Sequence, residues 1–133
     1  MEMSAATKKA GKAAGGPNVC KTPPGPVPTP YPSMAEVGNA DKTVSKVVME
    51  NKETVVQNSV LPNSSGDELG TAKGLVSQTT SKQVKFKKYS SKVYAKGKKI
   101  VFHTASTAHN GNNANLPVGS HVQQSQSKVE VAV

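Results

Sequence analysis

The sequence has few of the residues that normally hold a small protein together. Its 133 residues include no tryptophan, two phenylalanines, three tyrosines and a single cysteine, Cys20. Burial contributes roughly 25 cal/mol per Å² of apolar surface, and aromatic side chains usually supply much of that area. The hydrophobic core must therefore be small, and an internal disulfide is excluded. A metal ion or a partner remains as the means of stabilising a single domain of this length.

Arginine is also absent, so lysine alone carries the positive charge behind the net +9. Sequence-specific readers of nucleic acid depend on arginine for bidentate contacts, which argues against that function. The densest basic stretch contains Lys82, Lys85, Lys87, Lys88, Lys92, Lys96, Lys98 and Lys99. Phe86, Tyr89 and Tyr94 are interleaved with them, as on a surface that follows a polyanion backbone. The alternative is the solvent face of a hairpin, which would meet anionic lipid headgroups or an acidic partner.

Long apolar runs are missing from the whole sequence, and residues 1–16 lack the apolar part of a secretory signal. We therefore expect the chain to start in the cytoplasm and, if it is exported, to leave by a route that does not read a cleavable signal. Residues 1–16 are small and basic, which predicts a flexible lead that orders only against a neighbour. Residues 122–133 form a polar tail, either an added strand or a disordered end.

Proline is concentrated in one stretch, because seven of the nine prolines lie in residues 17–32. Proline fixes φ and lacks a backbone donor, so this stretch is predicted to be extended, neither a helix nor a central strand. A linker or a ligand for a proline-binding domain is the alternative. Val19, Val27 and Tyr31 argue against a linker because they give the segment apolar groups to bury.

A repeat gives the clearest indication of the fold. Residues 42–56 align without gaps with residues 88–102, and each copy has β-branched residues on both sides of a turn former. The turns fall near Glu50–Asn51 and Lys96–Gly97, so each copy is predicted to be a β-hairpin. The segment between the copies has the composition of loops, with a short helix over 67–73 as the alternative. The prediction is an all-β domain in which similar hairpins form pseudo-symmetric faces.

Three stretches are distinctive: PNVCKTPPGPVPTPYP at 17–32, GDELGTAKGLVS at 66–77 and KFKKYSSKVYAKGKKIVF at 85–102. Together they resemble a known family, the PAAR-like proteins of type VI secretion and related contractile injection systems. The resemblance covers residues 17–121 and implies a small cone of short β-hairpins with pseudo-threefold shape. It also implies that one such tip sits on each trimeric VgrG-like spike, that it touches the target membrane transiently, and that many relatives carry or recruit effectors.

The resemblance further implies a structural zinc held by three histidines and one cysteine, and the chain has that set. The candidate ligands are Cys20, His103, His109 and His121. Four nitrogen and sulfur ligands suit a closed tetrahedral zinc, although the spacing is not that of a zinc finger. The histidines lie in a loop-rich segment that can wrap an ion, and surface histidines are the alternative. Zinc at this site would join the proline-rich segment to the C-terminal loops.

An enzyme is not expected from these residues. A closed four-ligand zinc leaves no coordination position for an activated water, whereas binding by the histidines alone would leave one. Asp67 and Glu68 are the only adjacent carboxylates and are interpreted as turn or capping residues. The sequence therefore predicts a non-enzymatic spike tip that binds no specific nucleic acid. A basic polyanion-binding domain and an effector adaptor remain as alternatives.

Overall fold

The fold is all-β, as the sequence predicts. A computed structural model describes residues 2–23, 25 and 27–133. It contains twelve strands and one 3₁₀ turn, Val37–Asn39. The strands are β1 Glu2–Ser4, β2 Lys12–Thr22, β3 Val27–Glu36, β4 Val44–Met49, β5 Lys52–Thr54, β6 Val60–Leu61, β7 Val84–Phe86, β8 Tyr94–Ala95, β9 Lys98–Lys99, β10 Ser106–His109, β11 Leu116–Gln123 and β12 Glu130–Ala132. Within the described ranges, no helix has the length and apolar character needed to cross a membrane.

Residues 17–22 and 27–32 of the proline-rich segment are extended, as predicted, and belong to a long antiparallel hairpin of β2 and β3. This hairpin lies at one side of a six-stranded sheet with the strand order β3-β2-β11-β10-β7-β6. Pro28, Pro30 and Pro32 alternate along the edge strand β3. Met34 follows Pro32 by two residues, so its backbone faces the same side of the strand. Its N–H donates to the Ser65 carbonyl on the outer side of β3. At the three prolines this outer edge has no donor, which protects that part of it against pairing with another strand.

Proline also limits how far β2 is paired on its other side. β11 pairs with the proline-free part of β2, from Lys12 to Gly15. Pro17 falls in the register shift between Gly15 and Asn18, where the β2–β3 ladder is interrupted. Beyond that shift, β2 has β3 on one side and a single bridge from Cys20 to Gly74 on the other. The prediction that residues 17–32 would not form a central strand therefore holds for β3, which is the edge strand. Residues 17–22 of β2 have a strand ladder on one side only.

Both repeated segments form the predicted hairpins. In β4–β5 the turn residues Glu50 and Asn51 have φ of 52° and 66°, and in β8–β9 Lys96 and Gly97 have φ of 51° and 78°. Positive φ at both central residues gives a turn whose twist matches that of the flanking strands. The second hairpin is the shorter one, with two residues in each strand.

The two hairpins belong to a threefold arrangement that is closed by a ring of backbone hydrogen bonds. Ala6 N–H donates to Val101 O at 2.8 Å, Val101 N–H donates to Val55 O at 3.1 Å, and Val55 N–H donates to Ala6 O at 3.0 Å. All three residues are fully buried. The same exchange is repeated one residue further out by the bridges Thr7↔Thr54, Val56↔Ile100 and Ala5↔Phe102. Because each segment bonds to the next in the same way, the three are related by a pseudo-threefold axis.

The third hairpin-like unit is built from the two ends of the chain, β1 and β12. Ser4 pairs with Glu130 in this unit, as Glu53 pairs with Val48 in the first hairpin and Lys99 with Tyr94 in the second. Residues 1–16, expected as a flexible lead that orders only against a neighbour, contribute β1 and the start of β2, and the added strand that was one alternative for residues 122–133 is β12. Ala5, Ala6 and Ala13 of the N-terminal segment pack in the core, where their small side chains need little volume. Met1 lies outside the described residues.

The hydrophobic core lies around the threefold axis and is made mostly of small aliphatic side chains, as the composition requires. Among the valines matched by the repeat, Val55 and Val101 are fully buried, whereas Val47 and Val93 are partly buried against the core. Phe86 and Phe102 are the aromatic side chains of the core.

We expect the C-terminal strand to contribute to global stability. Val131 of β12 is 3% exposed, so Val131→Ala should lower the free energy of unfolding by about 1 to 3 kcal/mol through lost apolar burial. Val118→Ala is the control, since Val118 is 74% exposed, and it should change stability by no more than about 0.5 kcal/mol. Urea denaturation followed by circular dichroism measures both. Equal effects from the two substitutions would contradict the three-unit arrangement.

Candidate functional site

Cys20 lies in a buried cluster of side-chain amides and one carboxylate. Its Sγ is 3.7 Å from Asn18 Oδ1, Asp67 Oδ2 and Asn110 Nδ2, and 3.9 Å from Asn115 Nδ2. Within the part of the chain that the structure describes, none of the hydrogen-bonding partners of Cys20 is a histidine. Burial raises the pKa of the Cys20 thiol to about 11, and the Asp67 carboxylate adds to that effect.

Asp67 is the centre of this cluster and was not recognised from the sequence as a buried residue. It is fully buried, and it accepts hydrogen bonds from Asn18 Nδ2 at 2.8 Å, Ser81 N–H at 3.1 Å and Ser81 Oγ at 2.6 Å. Asn115 donates to Asn18 Oδ1 at 2.6 Å and to the carbonyl of Val19 at 2.8 Å. These bonds attach the loop after β6 and the loop before β11 to β2. A buried network whose members are satisfied fixes a single arrangement of its loops.

His109 lies in a separate position on β10, between two hydroxyl groups. Its Nδ1 is 3.0 Å from Ser33 Oγ and its Nε2 is 2.8 Å from Thr107 Oγ1, and the side chain is fully buried. Gly119 of β11 leaves the necessary space, because a Cβ at that position would come within 2.6 Å of His109 Nε2. Burial lowers the pKa of His109 to about 4. Both ring nitrogens already have partners, which is the arrangement of a neutral structural histidine.

His103 and His121 are the two predicted ligands that the structure brings together. Their ring centroids are 5.5 Å apart with an interplanar angle of 78°. His121 is fully buried beneath Phe86, whose ring centroid is 6.3 Å away, and its Nδ1 is 3.3 Å from the carbonyl oxygen of Phe102. Burial lowers the pKa of His121 to about 4. His121 lies on β11, and His103 lies in the turn that precedes β10.

The four predicted zinc ligands are thus distributed over three locations. Among the described residues, no group of three or more His, Cys, Asp or Glu side chains is arranged to hold a metal ion. Cys20 contacts the amide groups of Asn110 and Asn115, while the two ring nitrogens of His109 contact the hydroxyls of Ser33 and Thr107. The four-ligand zinc stays a prediction, and the imidazoles of His103 and His121 are the part of the set that is adjacent.

The buried His109 predicts a loss of stability in mild acid. Its pKa is about 4 in the folded protein against an ordinary value of 6.5, so the unfolded chain binds the extra proton between these values. The free energy of unfolding should therefore fall as the pH is lowered from about 6.5 to about 4. His109→Gln should remove on the order of 1 to 3 kcal/mol of this pH-dependent loss. Denaturation midpoints measured across the interval test it, and an unchanged pH dependence in the variant would contradict it.

Comparison with known proteins agrees with the resemblance predicted from the motifs. Residues 11–116 match the family described as the Toxin PAAR-like domain. The chain is also 32% identical, over an alignment of 135 residues, to the DNase toxin Tse7 of Pseudomonas aeruginosa. That alignment covers 93% of this chain and 35% of Tse7, so the chain spans about a third of the length of this relative. No solved structure matches the chain.

The comparison with Tse7 bears on the expectation that the chain is not an enzyme. The relative is a DNase by name, so the comparison gives that expectation no support. The family match, in contrast, covers most of the chain and includes the proline-rich segment and both repeated hairpins. The chain therefore belongs to the Toxin PAAR-like domain family.

Proposed function

We propose that this protein is a spike tip that caps a trimeric spike of a type VI secretion-like contractile injection machine. Membership of the PAAR-like family supports a role linked to the spike or to its effectors. The ring of hydrogen bonds between Ala6, Val55 and Val101 is the observation that carries the finer proposal. A single chain with three similar surfaces is suited to the end of a trimer, because each surface can make the same contact with one subunit, and the three hairpin units offer such surfaces.

The outer strands of the three units are suited to contact such a partner. β4, β8 and β12 each belong to a two-stranded sheet, so within the described residues their outer edges have no strand partner. Unpaired strand edges are sites for the addition of further strands. Val48 and Tyr94 occupy equivalent positions on two of these strands and are 54% and 53% exposed, and Glu130 occupies the third. An apolar residue at two of the three positions favours a contact that is buried in the assembly.

The relationship to Tse7 supports a link to a toxin without identifying this chain as a nuclease. The chain corresponds to about a third of Tse7, and the buried side chains of its polar cluster are engaged with one another. In our proposal the domain serves for delivery, and DNA cleavage is not a property of these 133 residues.

Binding to a candidate trimeric VgrG-like protein tests the capping function directly. The wild-type chain should co-elute with the spike in a ratio of one tip to three spike chains, measured by light scattering after gel filtration. Val48→Asp combined with Tyr94→Asp should weaken binding at least about tenfold, since charged groups would replace exposed apolar ones at the contact. Val118→Asp, on the six-stranded sheet, is the matched control and should bind normally. A different ratio, or equal loss with the control, would contradict the proposal.

The delivery role is tested separately with DNA. Supercoiled plasmid incubated with the purified chain and Mg²⁺, or with Mn²⁺, should stay supercoiled on an agarose gel. A known nuclease serves as the positive control. Cleavage that follows the protein through successive purification steps would show that the chain is itself an enzyme.

A further inference from the structure

Each of the three hairpin units contains the tripeptide Ser-Lys-Val in the same place. The copies are residues 45–47, 91–93 and 127–129. The residues that follow them are Val48, Tyr94 and Glu130, which occupy equivalent positions in the strand pairing of the three units. Three residues are too few to reveal a third copy in the sequence, so only the strand pairing identifies the equivalence.

The valine of each copy is explained by the fold. The carbonyl oxygen of Val93 accepts the N–H of Ile100 at 3.1 Å, and that of Val129 accepts the N–H of Ala5 at 2.9 Å. Val47 is half-buried like the other two valines, and it packs with Val93 against the hydrophobic core. Packing and pairing therefore account for the third residue of the tripeptide.

The lysine of each copy is not explained by the fold. Lys46, Lys92 and Lys128 are all exposed. Among the described residues, the ion pairs are formed by other lysines, Lys9 and Lys12. Substitutions at exposed positions usually change folding stability little, so folding does not require the same residue at all three places. An exposed lysine that recurs around the pseudo-threefold axis points to a requirement outside the folded chain.

The carboxylates of the chain leave positive charge at all three positions. The second unit contains no carboxylate side chain, since residues 69–129 include neither Asp nor Glu. In the first unit, Glu50 is 2.9 Å from Lys9 Nζ, and this hydrogen bond lowers the pKa of Glu50, with a weaker attraction from Lys128. The third unit has Glu130 two residues after Lys128, so its positive charge is the most offset of the three.

We propose, on the basis of the capping function proposed above, that Lys46, Lys92 and Lys128 each contact an acidic side chain that every subunit of the trimeric partner presents once. A symmetric trimer repeats each of its side chains three times around its axis, so one carboxylate per subunit meets all three lysines. The units otherwise differ in side chain, as at Val48, Tyr94 and Glu130, which makes the shared lysine the contact that is the same in each unit. Complementary charges across an interface fix its register and accelerate association.

Binding of lysine variants to the trimeric VgrG-like protein of the capping experiment tests this contact. Lys46→Gln, Lys92→Gln and Lys128→Gln should each raise the Kd about twofold to fivefold, and the triple variant should raise it at least about tenfold. Raising NaCl from about 50 mM to about 300 mM should weaken binding of the wild type through screening, and should affect the triple variant less.

A second triple variant separates the three equivalent lysines from net charge. Lys82→Gln, Lys87→Gln and Lys88→Gln together remove the same charge from exposed positions before and after β7, and should change the Kd by less than about threefold. Circular dichroism and thermal unfolding of both triple variants should match those of the wild type.

The outcomes distinguish this contact from the capping function itself. A complex of one tip with three spike chains whose affinity is unchanged by the triple substitution at Lys46, Lys92 and Lys128 would overturn the acidic contact and leave capping intact. Equal losses in the two triple variants would also overturn it, since net charge would then be the cause. No such complex with the wild type would contradict capping, and the acidic contact with it.

Discussion

The cyclic closure of three backbone hydrogen bonds between Ala6, Val55 and Val101 is the constraint on which the rest of this fold depends. Each bond joins a different pair of segments, so the ring can form only when the N-terminal residues and both hairpins are in position. Full burial makes the bonds costly to break, because an unpaired backbone group in the interior loses its hydrogen bond without gaining water. The threefold shape follows from this closure, and it imposes threefold character on the surface around the axis.

The chain compensates for its small apolar core with buried polar groups. Asp67, Asn18 and Asn115 connect long loops to β2, while the hydroxyls of Ser33 and Thr107 satisfy His109. Such groups stabilise a structure when all their hydrogen-bonding capacity is used, and they make its loops adopt one arrangement. Within the described residues, the buried side-chain atoms left without a partner are Nδ1 of His103, Nε2 of His121 and Oγ of Ser125.

Family membership and threefold geometry support one another in the functional interpretation. The family match identifies a PAAR-like domain, and the structure has three hairpin units around one axis. The chain is similar to about a third of a DNase toxin. The lysine-rich second hairpin gives the three units different charges, so the units are equivalent in backbone and distinct in chemistry.

The sequence by itself determined the features that depend on local chemistry. The turn residues Asn51 and Gly97 fixed two hairpins, alternating prolines fixed an extended edge strand, and the motifs identified the family. Only the tertiary structure decided what depends on distant pairing. The third unit joins β1 to β12 with no repeat to reveal it, and Asp67 is buried because Asn18 and Ser81 happen to meet it. Cys20 and the histidines are compatible ligands by residue type, but their distances are set by strand order and by the side to which each side chain points, which residue type does not encode.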